Sequence, residues 1–225
     1  MTLLSSPLVQ AFQEHPLGLC GTHDPATVVG RVENIEKRLS ILTLGVVLDT
    51  KHLNRERWSA LAAIHDHWLL NPSQVAYRSS AEVSDGLQVM HISGPPHIAR
   101  VWWQICRGVQ GRFKGSWRDL LKASDDDAQA LQSYLQNSKT TFPVLSGPVI
   151  SARWLDLVHR VGRVKLKSWE TLTVTLPSDQ KKTARLFGIL ADEVHPLVSS
   201  ALTVWPAVCQ RLTADSCGLD NCPRK

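Results

Sequence analysis

The sequence predicts an all-α protein, and three features predict it. Apolar side chains recur at helical spacing, as in Trp58, Leu61, Ile64 and Trp68 and again in Ile98, Val101, Trp102 and Ile105. Residues that start helices stand before such windows, among them Asn54, Ser124 to Asp127, and Pro177-Ser178-Asp179. Sustained apolar and polar alternation is confined to Val164 to Leu176, which predicts a short β-hairpin insertion. A chain of 225 residues can bury one large core or build two lobes that share a cleft.

The elements follow in order. Pro16, Gly18, Gly21 and Pro25 break the early chain, and a helix is expected over Val29 to Arg38. Arg38 to Leu48 is strongly apolar and reads as a buried helix or a strand, with its length favouring helix. Asp49 to His52 interrupts it. Asn54 then caps a helix carrying Trp58 to Trp68, which Asn71-Pro72 ends. A short helix spans Ser79 to Leu87, Gly94-Pro95-Pro96 turns, and Ile98 to Val109 is amphipathic. A helix runs from the Ser124 to Asp127 cluster to Leu135, since acids favour the positive end of the helix dipole. Phe142 to Ser151 leads into a helix with Trp154, Leu155 and Val158. Further helices start near Pro177 and His195, the last running into a cysteine-bearing tail.

Composition narrows the class. No stretch is apolar long enough to span a bilayer, and Met1 to Pro16 lacks the layout of a signal peptide, so a cytoplasmic location is expected. The net charge of +5 favours a polyanionic partner. Arg153, Arg160, Arg163, Lys165, Lys167, Lys181, Lys182 and Arg185 face only three acids in the same stretch, an excess equal to that of the whole chain. Such a patch suits nucleic acid, because neutralising phosphates releases counterions; a solvated charged face would read the same way. The odd count of five cysteines argues against a disulfide framework.

One motif carries a specific mechanism. Leu145-Ser146-Gly147-Pro148-Val149 followed by a helix can aim backbone N–H groups at a phosphate, with glycine permitting close approach. Many helix corners in ordinary cores also contain Gly-Pro.

The order of these features resembles the helix-hairpin-helix DNA glycosylases of the endonuclease III and MutY type. Leu44 to Leu48, followed by Asp49 to His52, is similar to that family's apolar helix and DNA-inserting loop. Gly94 to Ile105 resembles its Gly-led turn and helix. Leu145 to Arg153 resembles its hairpin, and Leu176-Pro177-Ser178-Asp179 with Arg185 resembles its aspartate-led helix. The resemblance covers roughly Arg38 to Pro223 and rests on order and spacing more than on identities. It implies one lobe over residues 40–172 and a second over 1–39 with 173–225, and a monomer acting on double-stranded DNA, nucleoid-associated in a bacterium.

It also implies a chemistry. A damaged base flips into a pocket between the lobes, and the glycosidic bond breaks with positive charge on the deoxyribose. Asp179 is the candidate that stabilises this charge and aligns water. It would equally serve as a helix cap, and a family aspartate can do both. Ser151 stands where bifunctional members carry a lysine, so no Schiff base is expected there. Leu145, Gly147, Val149 and Arg153 would hold the DNA backbone at the hairpin. Lys181, Lys182 and Arg185 would contact phosphates or steady Asp179, and Lys51 and His52 would fill the gap left by the flipped base. Each of these also has a plain structural reading as solvated loop or helix face.

The chain departs from the family in three places. Val149 replaces the second hairpin glycine, Lys181 replaces a frequent histidine, and the hairpin-to-aspartate gap is long. These departures keep open a non-catalytic DNA-binding relative. An unrelated helical protein whose basic stretch binds another protein is a third reading. The tail cysteines Cys209, Cys217 and Cys222 have spacings that do not match the family's iron–sulfur pattern, so no cofactor is expected, with an iron–sulfur cluster or zinc on these cysteines as the disfavoured alternative. Cys20 could supply a fourth thiolate, but nothing local demands it. His65 and His67 lie on different sides of a helix and make a poor metal pair. Trp58, Trp102, Trp103 and Trp154 are read as core rather than as base-stacking platforms.

Overall fold

The computed structural model describes residues 28–48, 55–92 and 97–209. These residues form ten α-helices, three short 3-10 turns and one two-stranded antiparallel ribbon, so the fold is all-α with a small β element. Contacts divide the chain into two compact units, Pro25–Trp169 and Met1–Asp24 with Glu170–Lys225. Residues 39 and 40, the expected lobe boundary, both lie within one helix.

That helix, α1 (Ile35–Leu48), organises the Pro25–Trp169 unit. Every residue from Arg38 to Val47 is buried, so the apolar run is a helix with no wet face. The expected helix over Val29 to Arg38 is instead a 3-10 turn, Val29–Arg31, separated by three residues from α1. The helix also satisfies two buried indoles. Trp117 Nε1 donates to Ser40 Oγ at 2.7 Å, and Trp154 Nε1 donates to Thr43 Oγ1 at 2.9 Å. A buried Trp N–H without an acceptor would cost about 1–3 kcal/mol, so these two hydroxyls explain why polar residues interrupt the run.

Around α1 the chain wraps α2 (Arg55–Ala63), α3 (Pro72–Ala76), α4 (Ser80–Val89), α5 (Ile98–Phe113), α6 (Trp117–Lys122), α7 (Ala128–Asn137) and α8 (Pro148–Arg160). Helices α2, α5, α6 and α8 contact α1 directly. The expected helix through Trp68 stops at Ala63 and gives way to a 3-10 turn, Trp68–Leu70. Asn71, read as a helix stop, caps the start of α3, its side chain accepting from Gln74 N at 3.2 Å with Pro72 in the first turn. Proline at that position lacks only an N–H that would be orphaned anyway. Ser79 and Glu82 close a reciprocal capping box on α4. Helix α5 runs a turn past Val109 and ends at Lys114, whose φ of +52° is left-handed. Helix α6 was not legible in the sequence. Its start is held by Ser116 and by Glu36 of α1, whose carboxylate accepts from Ser116 Oγ and from the N–H groups of Trp117 and Arg118.

The second unit contains β1 (Val174–Thr175), α9 (Ser178–Leu186), β2 (Glu193–Val194) and α10 (Pro196–Cys209). Val174 lies opposite Val194 and Thr175 opposite Glu193. The small antiparallel element therefore begins inside the expected segment, but its partner strand comes from beyond α9 rather than from within Val164 to Leu176. Ser168, with φ of +54°, and the 3-10 turn Trp169–Thr171 break the alternating segment before it can fold back on itself. Its pattern survives as burial, with Leu172, Val174 and Leu176 inside and Thr173 and Thr175 outside. Helices α9 and α10 pack on each other.

Candidate nucleic-acid interface

The Phe142 to Ser151 motif forms the approach to α8. Helices α7 and α8 pack together, joined by ten residues of successive turns rather than by one tight corner. Phe142 and Leu145 are fully buried and anchor those turns from below. Phe142 O accepts from Ser146 N at 3.0 Å, and Pro143 O accepts from Leu145 N at 2.9 Å across Val144. Val144 has φ of +70°, a rare value for a β-branched residue and one that suits a strained γ-turn.

Gly147 is not the left-handed residue. It precedes a proline, which pushes it to the extended region, and it sits there with φ −68° and ψ 132°. It serves as the N-cap of α8 without a side chain, and the first backbone donor turned inward is Ser151 N, to Gly147 O at 2.8 Å. The N–H groups of Val149 and Ile150 are left without a side-chain cap, beside Val149, which is exposed. A Cβ on Gly147 would lie 3.3 Å from Val144 O, so a side chain there would crowd the turn.

Ser151 is fully buried. Its hydroxyl donates to Pro148 O at 3.1 Å and lies 3.4 Å from Gln132 Nε2, so it ties α7 to the first turn of α8. Arg153 is half-buried on the same helix. Asp179, in the other unit, stands exposed in the first turn of α9, and Pro177 rather than a capping side chain precedes that helix. Lys181 is ion-paired with Asp192 at 2.5 Å, and Lys182 and Arg185 are exposed. That pair, with the added charge of Arg185, holds the Asp192 carboxyl below the usual carboxylate range. Lys51, His52, Cys217 and Cys222 lie outside the described residues, as does the side chain of Cys209. Among the described residues no group of three His, Cys, Asp or Glu side chains could hold a metal ion.

The basic stretch is therefore less bare than its sequence. Arg160 is bound to Asp156, Lys167 to Asp125, and Lys181 to Asp192. The stretch is also divided between the two units, with Arg153 to Lys167 in one and Lys181 to Arg185 in the other. No helix among the described residues is long and apolar enough to cross a membrane.

Two adjoining depressions of about 310 and 550 Å³ open near the start of α1, sharing Asn34, Lys37, His65 and Asp66. Sequence reasoning did not mark them, because their walls come from separate short elements. Several of their charged groups are already engaged. Lys37 Nζ is hydrogen-bonded to Asp66 and lowers the pKa of that carboxyl, and His65 Nε2 lies 3.2 Å from the same group. Glu36 is spent on the start of α6. His67 accepts Leu69 N–H through Nδ1, and burial, then the charge of Arg78, pulls its pKa down.

Comparison of the chain with protein-family models and with curated proteins gives no match.

Proposed function

We propose that this chain binds double-stranded DNA through the turn that opens α8, and that it is a monofunctional base-excision glycosylase using Asp179. The observation that carries the reading is the uncapped start of α8. A strained Val144 turn and a side-chain-free Gly147 leave the Val149 and Ile150 N–H groups open to a phosphate oxygen. In this reading Arg153, Lys182 and Arg185 add phosphate contacts. Asp179 stabilises the positive charge that develops on the sugar as the bond to the base breaks, and it aligns the water that completes hydrolysis. Ser151 carries no amine and forms no Schiff base, so the abasic strand stays intact. The protein acts as a monomer without a cofactor, in the cytoplasm or on the nucleoid.

Two observations favour a second reading, a DNA-binding relative without catalysis. Ser151 is buried and committed to Pro148 O, and Lys181 is committed to Asp192. The test is base release from a panel of duplexes, each holding one lesion or mismatch, for wild type and Asp179→Asn. Base loss by wild type alone, with strands cut only after alkali, supports the glycosylase. No base loss on any duplex, with salt-sensitive binding retained, supports the non-catalytic reading.

A further inference from the structure

Charge without counter-charge lies elsewhere than in the basic stretch. No acidic residue occurs between Asp85 and Asp119, and none between Asp127 and Asp156. The fold packs these two acid-free segments together inside the Pro25–Trp169 unit. The Gln104 amide donates to Thr140 O, and a Cβ on Gly108 would overlap the Thr141 side chain. Arg112 donates to the Tyr134 hydroxyl at 2.9 Å, and Phe113 meets Tyr134 edge-on at 6.1 Å.

On the outer face of α5, Arg100, Trp103, Arg107 and Gly111 follow one another at spacings of three and four residues, which aligns them along the helix. Lys114 continues the row at the helix end. Arg100, Arg107, Gly111 and Lys114 are exposed, as is Lys139 on the adjoining loop. The Arg107 guanidinium lies over the Trp103 ring, 4.7 Å from its centroid, and Trp103 Nε1 donates to Arg78 O at 2.7 Å. Trp103 is thus the one tryptophan of the four read as core that is not fully enclosed. No carboxylate among the described residues pairs with Arg100, Arg107, Lys114 or Lys139. On α4, which packs against α5, Glu82 is held by Ser79 and Arg78, and Asp85 faces solvent.

We propose that the outer face of α5, with Lys139, is a second contact surface for the phosphate backbone of duplex DNA. It rests on the DNA-binding reading above and adds to it a surface that the basic stretch does not supply. Residues 100 to 114 span about 20 Å at 1.5 Å per residue, so the cations form a line rather than a cup around one ion. A line of unpaired charge complements a row of phosphates, and each phosphate neutralised releases counterions. Gly111 has nothing within 4 Å of where a Cβ would stand, which lets a backbone come close. The Trp103 ring holds Arg107 in place, so that less side-chain freedom is lost on binding.

The experiment is a salt titration of binding to a short fluorescein-labelled duplex, read by anisotropy. It compares wild type with R100Q/R107Q/K114Q, with the charge-keeping R100K/R107K/K114R, and with G147D at the turn. The neutral triple variant is expected to bind on the order of tenfold more weakly at low salt, and its slope of log K against log salt to fall by about one per lost contact. The charge-keeping variant is expected to keep the wild-type salt slope and to bind much closer to wild type than the neutral one, losing only the stacking of Arg107 on Trp103. If the neutral variant keeps the wild-type affinity and slope while G147D is weakened, the α5 surface is overturned and the turn stands. If G147D binds normally while the neutral variant is weakened, the surface stands and the turn falls. Equal weakening of the neutral and charge-keeping variants overturns the surface, since charge would not be what mattered. No binding by wild type overturns both.

Discussion

Arg160 holds Asp156 through two nitrogens, with Nε at 3.0 and 3.1 Å from the two carboxylate oxygens and Nη2 at 2.9 Å from one of them. The aspartate side chain is fully buried and the arginine is 15% exposed, and Trp169 Nε1 adds a third donor at 3.3 Å. The pair sits one turn apart at the C-terminal end of α8, the opposite end from the proposed DNA-binding turn. Removing one partner leaves a buried charge without compensation, which costs far more than the pair itself contributes. Arg160→Met is therefore expected to destabilise the protein by about 3–5 kcal/mol, and Asp156→Leu/Arg160→Met to recover most of that loss. Urea unfolding followed by tryptophan fluorescence measures both. A double variant no more stable than the single one would contradict this account.

Arg38 presents the opposite case. It is 7% exposed, its Nε has no hydrogen-bond partner, and burial, then the charge of Arg163, pulls its pKa below the ordinary value. Arg38→Met keeps the aliphatic volume and removes an uncompensated donor. The expected change is a gain of about 1–3 kcal/mol in unfolding free energy, the size of an unsatisfied buried polar group. A loss of stability would show that the guanidinium is compensated.

Gly45 tests how closely α1 is packed. A Cβ there would lie 2.2 Å from the Trp58 ring, inside any allowed contact. Trp58 is 2% exposed, so the ring that would have to yield is itself in the core. Gly45→Ala should cost about 1–3 kcal/mol despite the better helix propensity of alanine. Thermal unfolding of the variant reads the result, and an unchanged midpoint would mean that the ring relocates freely.

Asp127 couples stability to acid. The Ser168 hydroxyl, then the Ala130 N–H that it caps, holds its carboxyl below the usual carboxylate range. The folded state thus binds this proton less readily than the unfolded state, so the contribution is full above the unfolded value of 3.8 and is lost as the pH falls through the folded one. Asp127→Asn keeps the cap but cannot titrate. Denaturant midpoints measured on either side of pH 3.8 should fall less steeply for the variant than for wild type. Parallel curves would remove Asp127 from the acid response.

Helix existence was mostly legible, because periodicity and capping residues are local. The helix from Ser79, the helix start at Asp127, and Ile98 to Val109 all lie where the sequence placed them. Helix α6 is only six residues long, and beyond its local Ser116 cap its start is completed by Glu36, some eighty positions away in the chain. The partner of β1 was hidden, since Glu193–Val194 carries no alternation of its own. At the candidate interface the glycine was visible, but its role was not. The proline after Gly147 holds that residue extended, and the left-handed position falls at Val144 instead. Charge counts misled more. Summing Arg153 to Arg185 ignored that Asp125 and Asp192, on either side of that stretch, would reach back to Lys167 and Lys181.

The full burial of Arg38 to Val47 has a consequence for biosynthesis. This segment leaves the ribosome well before its coverings on α5, α6 and α8, which extend to Arg160. Until then Ser40 to Leu48 is an uncharged run rich in β-branched residues, the composition that favours intermolecular strand pairing. Lys37 and Arg38 ahead of it and Lys51 behind it are charges that discourage such self-association. The arginine that weakens the finished core thus flanks the segment with the most to lose from self-association in the nascent chain.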